Sequence, residues 1–113
     1  MKLEEKASKE KVLRIIDETL DTFGSELQKL GIPINISVIF ESVCKDDPMV
    51  VARLKNGKVI FFLEGLRKLR QDDDGFFEDV AKVFLHELAH FKMSDEKEAE
   101  ALVDSLIEKQ SIQ

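Results

Sequence analysis

The stretch that most constrains this chain is His86-Glu87-Leu88-Ala89-His90, which holds both histidines of the sequence. On a helix, residues i and i+4 lie one turn apart on the same face, so the two imidazoles can converge on one ion. Glu87 is rotated from His86 by about 100°, near enough to reach a water on that ion without being forced to ligate it. Zinc accepts such nitrogen ligands, and a catalytic zinc site keeps one position open for water. Five residues alone also fit an ordinary helix with two solvated histidines. The flanking sequence therefore has to supply a helix with a face to spare and a third ligand.

The helix is there in the pattern. Val80, Ala81, Phe84, Leu85, Leu88 and Phe91 cluster on one side of a helical wheel, and His86 and His90 fall roughly opposite. Such a helix buries its apolar face and offers the imidazoles to whatever lies across from it. Asp73-Asp74-Gly75 marks its start with capping chemistry, and Glu78 and Asp79 complement the dipole of the first turns. The run Asp72-Asp73-Asp74 lacks the remaining ligands of a calcium loop and reads as a cap.

The segment after His90 is rich in acids. Ser94 predicts the N-cap of a second helix, close enough in sequence for a helix hairpin. Ala99, Leu102, Val103, Leu106 and Ile107 form an apolar stripe on it. Glu96 falls on that stripe, where a carboxylate is costly unless it meets a cation or a metal, and is the predicted third ligand. Glu98 lies near the opposite edge and is the alternative metal ligand, since wheel positions drift by a residue or two at helix ends. Glu100, one turn after Glu96, is placed to orient a ligand histidine from behind.

His-Glu-x-x-His followed by a helix reading Glu96-Lys97-Glu98-Ala99-Glu100 resembles the gluzincin metallopeptidases. In the branch of HtpX and the CAAX-prenyl proteases the second helix reads Glu-x-x-Ala-Asp, and here Glu stands for the Asp. The small size is similar to the minigluzincins, soluble scaffolds resembling the catalytic cores of those membrane enzymes. The resemblance to the active-site motifs spans residues 76 to 104. It implies a zincin-like fold and a zinc-dependent peptidase acting on a peptide or protein substrate. His86, His90 and Glu96 would bind Zn2+, and Glu87 would serve as general base and acid. It also implies possible latency, with the segment after Ile107 lying over the cleft. Two departures stand out: a short gap between His90 and Glu96, and no tyrosine or further histidine to steady an oxyanion. Zinc itself or an arginine would have to take that role.

The remaining sequence predicts a scaffold. At 113 residues, with 35 % charged and 43 % apolar residues, the chain reads as one globular domain, residues 1–113. A net charge of −6 argues against nucleic acid as a partner. No apolar run reaches the roughly 18 residues of a membrane span. Met1 to Lys6 carries charges where a signal peptide needs an apolar core, so the expected location is cytoplasmic. Cys44 is single and reads as a small buried residue at a strand end.

Ser8 to Leu30 predicts a first helix stopped by Gly31 and Pro33. Ile34 to Glu41, Met49 to Lys55 and Lys58 to Leu63 predict three strands, the last two joined by a type I′ hairpin at Asn56-Gly57. Val59 to Leu63 is apolar on both faces, which predicts a central or covered strand. Glu64 to Arg70 predicts a short helix, with Arg67 and Arg70 as candidate anion-binding groups. The expected fold is α+β: a scaffold helix, a three-stranded sheet with a hairpin, the His-Glu-x-x-His helix and a glutamate helix. Two competing readings remain: a zinc-binding scaffold with little activity, and a metal-free interaction module. Nothing in the sequence specifies an oligomeric state.

Overall fold

The computed structural model describes residues 3–112, with side chains described from 8 to 110. The order of elements is α1 (Leu3–Lys29), β1 (Ser37–Glu41), β2 (Ala52–Lys55), β3 (Lys58–Phe62), α2 (Leu63–Leu66), α3 (Asp73–Ala89) and α4 (Glu96–Ile112). The class is α+β, as the sequence predicts.

The first helix ends where its sequence says it should, and the backbone shows why. Gly31 adopts φ +78°, and its N–H donates to the carbonyl of Gln28 while Ile32 N–H donates to that of Leu27. This pair of bonds is a Schellman closure, which needs a residue with positive φ just past the helix. Thr19, the one buried polar side chain described, satisfies its hydroxyl by donating to Ile15 O at 2.7 Å.

The sheet runs β1-β3-β2, with β1 parallel to β3 and β2 antiparallel to β3. The two-sided apolar strand is therefore the centre, in agreement with its pattern. Asn56 and Gly57 both have positive φ (52° and 75°), the condition for the tight hairpin joining β2 to β3. Four predicted elements are shortened, the third strand only by its last residue, since Leu63 opens α2. The first strand begins at Ser37 rather than Ile34. The second begins at Ala52 rather than Met49, because Asp47 closes a turn by accepting from Met49 N–H and Val50 N–H. The helix expected over Glu64–Arg70 is a single turn, Leu63–Leu66.

The core lies between the sheet and the helices. Val59 and Phe61 of β3 meet Val12, Ile15, Ile16 and Leu27 of α1, Val80, Phe84 and Leu88 of α3, and Val103 and Leu106 of α4. Phe61 stacks on both Phe40 and Phe84, with ring centroids 6.1 and 6.4 Å apart, so β1, β3 and α3 are pinned through three rings. Cys44 is buried on the other side of the sheet with Ile60 and Phe62, far from the histidines in the fold's layering, as expected of a packing cysteine.

The segment after Ile107 continues α4, and Lys109 Nζ reaches Glu26 of α1 at 3.6 Å. None of residues 108–110 lines the histidine cleft described below, in contrast to the covering segment the resemblance implies. The side chains of Ser111 and Ile112, and residue 113, lie outside the described residues.

Candidate metal centre

α3 divides its residues as the wheel predicts. Asp72 caps it, its carboxylate accepting from Gly75 N–H at 2.9 Å, which bears out the capping reading of the aspartate run. Phe84, Leu85 and Leu88 enter the core, while His86, Glu87 and His90 remain partly exposed on the opposite side.

The two imidazoles meet edge to face, ring centroids 4.8 Å apart and Nε2 atoms 3.2 Å apart. Glu96 bridges them from the start of α4: Oε2 lies 2.8 Å from His86 Nε2 and Oε1 lies 3.0 Å from His90 Nε2. His90 Nδ1 lies 2.8 Å from the carbonyl of Met93. A carbonyl can only accept, so Nδ1 carries the proton and the Nε2 of neutral His90 presents a lone pair inward, the form that binds a metal. Inward lone pairs this close to a carboxylate repel it unless a proton or a cation lies between them. Four ligands held about 2.05 Å from a tetrahedral zinc would stand about 3.3 Å from one another. Edges of 2.8 to 3.2 Å are therefore only slightly tighter than such a site. His86, Glu87 and His90 offer ligand atoms all within 4.8 Å of one another and could hold a metal ion. Glu96 is the carboxylate in direct contact with both ring nitrogens.

Glu87 is held differently. Its Oε1 accepts from the backbone N–H of Leu54, on β2, at 2.8 Å. Burial pushes its carboxyl above the usual range, against the lowering effect of that hydrogen bond and of the nearby histidines. Glu96 is shifted the other way, below the usual range, chiefly by its hydrogen bond to His86.

The sequence selected Glu96 for a place on the buried stripe of α4. Its side chain is instead 77 % exposed, and the buried stripe begins at Ala99. The cap is likewise one residue later than predicted: Asp95, not Ser94, accepts from Lys97 N–H and Glu98 N–H, leaving Glu96 as the first helical residue. Glu98 is exposed, and no hydrogen bond or ion pair joins its carboxylate to the histidines. Glu100 lines the cavity beside His86, but the described group that steadies an imidazole from behind is the Met93 carbonyl.

β2 is the edge strand packed beside α3, and it forms one rim of the candidate site. Two cavities flank Glu87 along it. One, of about 450 Å³, has Val51, Val83 and Val103 as walls and Lys82, Glu100 and Asp104 at its mouth. The other, of about 550 Å³, lies between Arg53 and Leu54 on one side and His90, Ser94 and Glu96 on the other. The basic residues lining these cavities are thus Lys82 and Arg53, the latter with its guanidinium turned to Asp46. Arg67 pairs with Glu64 and Arg70 with Asp79 and Glu78, and neither lines the cleft. Lys82 could have been found from its position one turn before His86. Arg53 carries no signal until the edge strand is known.

No family model, curated protein or solved structure matches the chain. Among the described residues, no helix is long and apolar enough to cross a membrane.

Proposed function

We propose that the protein is a zinc metallopeptidase, with Zn2+ held by His86, His90 and Glu96 and peptide bonds hydrolysed in the cleft between β2 and α4. The observation that carries this reading is the convergence of two inward-facing Nε2 atoms and one carboxylate, with a second, half-buried carboxylate alongside. Zinc bound there would acidify a water and polarise the scissile carbonyl. Glu87 would take the proton of that water on its carboxylate and pass it to the leaving amine. A carboxyl raised by burial suits both halves of that transfer, because it holds a proton more readily than an exposed glutamate does. The exposed edge of β2 would receive an extended peptide by backbone hydrogen bonds, and the flanking cavities would take its side chains.

The test is zinc stoichiometry by mass spectrometry on protein purified without a histidine tag, together with cleavage of an unfolded protein substrate. About one zinc per chain is expected, retained in Glu87→Gln but with turnover lost, reduced in Glu96→Gln and unchanged in Glu98→Gln. Cleavage that survives Glu87→Gln refutes the role given to Glu87. Zinc that does not bind on titration supports the metal-free interaction module instead.

A zinc-holding scaffold without turnover is the second reading, and one observation favours it. The chain has no tyrosine and no third histidine, and the two cations of the cleft are each tied to a carboxylate, Arg53 to Asp46 at 3.7 Å and Lys82 to Glu78 at 3.3 Å. Bound zinc with no cleavage of any unfolded substrate would decide for it.

A further inference from the structure

The face of the sheet turned away from the helices carries a second concave surface, of about 510 Å³. Strand alternation and register fix what lies on it. Ile39, Ile60 and Arg53 form one row across β1, β3 and β2, and Lys58 stands directly opposite Lys55 in the next row. Phe62 and Ile60 make the floor, packed with Cys44, and Ile39 is 37 % exposed above it. Lys45, from the loop after β1, adds a fourth cation to Arg53, Lys55 and Lys58, against two acids, Glu41 and Asp46.

We propose that this open face binds an acidic, extended polypeptide segment, whose carboxylates meet Lys45, Lys55 and Lys58 and whose one apolar side chain rests on Ile39 and Ile60. Two observations support it. Like charges placed directly opposite on paired strands destabilise a sheet, yet Lys55 and Lys58 face one another and neither has an ion pair among the described residues. The chain also carries 23 acidic residues against 17 basic ones, so a cationic face runs against its overall charge and is complementary to a negative partner.

An apolar floor suits a side chain rather than a row of phosphates. Glu41 and Asp46 on the same surface, and the net charge of −6, disfavour a nucleic acid or an anionic membrane. Arg53 lines both this surface and the cavity containing Glu87 and His90, so a segment bound here leads over the rim of β2 towards the candidate metal centre. Binding at the face itself requires neither metal nor turnover.

The experiment is fluorescence anisotropy in EDTA, using a fluorescein-labelled peptide of glutamates flanking one central leucine. Controls replace the glutamates by lysines, or the leucine by serine. Saturable binding that weakens with salt is expected for the acidic peptide, with weaker binding of the serine control and none of the lysine control. Lys55→Glu should weaken binding on the order of tenfold or more, while its melting temperature stays level or rises because Lys58 gains an opposite charge. That combination separates a binding role from a structural one. If Lys55→Glu fails to fold, the double variant Lys55→Gln/Lys58→Gln serves in its place, with the same loss of binding expected.

The proposal is overturned if the acidic peptide does not bind at low salt or binds these variants as tightly as the parent. Tighter binding of a single-stranded oligonucleotide or of phosphatidylserine vesicles also overturns it. So does a dimer in sedimentation that Lys55→Glu dissolves, which would make the occupant a second copy. Because EDTA is present throughout, none of these outcomes depends on the zinc reading.

Discussion

Two glycine-to-alanine substitutions should shift stability in opposite directions, and the difference tests how the wall of the cleft is held. Gly65 sits in the single turn of α2, against the segment Val50–Val51 that leads into β2. A Cβ there would collide with the carbonyl oxygen of Val50 and come within 2.7 Å of Val50 C and Val51 Cα, where ordinary contact begins at 3.4 Å. The colliding atoms are backbone, so no rotamer change relieves them; the two segments must separate by on the order of 1 Å, and overpacking of this kind costs roughly 1–3 kcal/mol. Gly24, in α1, offers the contrast: its added Cβ would meet only Ile34 Cδ1, at 3.8 Å. Without a clash, alanine in a helix is favoured by up to about 1 kcal/mol, through the unfolded chain as well as the helix.

Gly65→Ala should therefore lower the melting temperature, by about 4 °C for each kcal/mol in a chain of this size, and Gly24→Ala should raise it slightly. Val51 and Ala52 wall the cleft and Leu54 N–H holds Glu87, so Gly65→Ala should also speed hydrogen exchange at the Leu54 amide. A Gly65→Ala protein that melts at or above the parent temperature, with Leu54 still protected, would refute a tight contact between α2 and Val50–Val51.

Three further outcomes follow from individual contacts. Asp72→Ala removes the acceptor for Gly75 N–H and should cost about 1 kcal/mol in urea unfolding, whereas Asp72→Asn should be nearly neutral; equal stability of both with the parent would discount the cap. Asp79 is held below its ordinary value of 3.8 chiefly by hydrogen bonding to the Arg70 guanidinium. A depressed carboxyl adds stability above its unfolded value and loses it as pH falls through the folded one. Asp79→Asn should accordingly lower the melting temperature at neutral pH, with the gap closing below pH 3.8; a gap independent of pH would point to packing instead. Free zinc at about one hundred times its dissociation constant should stabilise the parent by about 2.7 kcal/mol and leave His90→Ala unmoved, as read by thermal melts with and without the metal.

The parts of the site that were legible in the sequence are those fixed by local geometry. His86 and His90 converge because four residues make one turn, and the apolar residues between them dictate which side of α3 is buried. Gly31 and Asn56-Gly57 mark chain reversals because their positive φ values are properties of single residues. Glu96 is legible for a different reason from the one that fixes it. The sequence pattern puts it on the apolar stripe, but its exposure shows that what holds the carboxylate in place is contact with two imidazoles, not a burial cost.

What was not legible depends on pairings made across the chain. Each strand could be recognised by its alternation, but alternation does not say which strand is central and which is an edge, except where both faces are apolar, as in β3. The order β1-β3-β2 puts β2 against α3, and from that single fact come Leu54 as the hydrogen-bond partner of Glu87, Arg53 at the mouth of the cleft, and Lys55 opposite Lys58 on the far side. The same four-residue strand thus serves two surfaces. Its inward residues fix the candidate general base, while its outward residues carry a charge pairing that costs stability. A sheet that placed β2 in the centre would have buried the Leu54 amide in a ladder bond and left Glu87 without its donor. The edge position is therefore what allows a carboxylate to be both half-buried and hydrogen-bonded next to an open cleft.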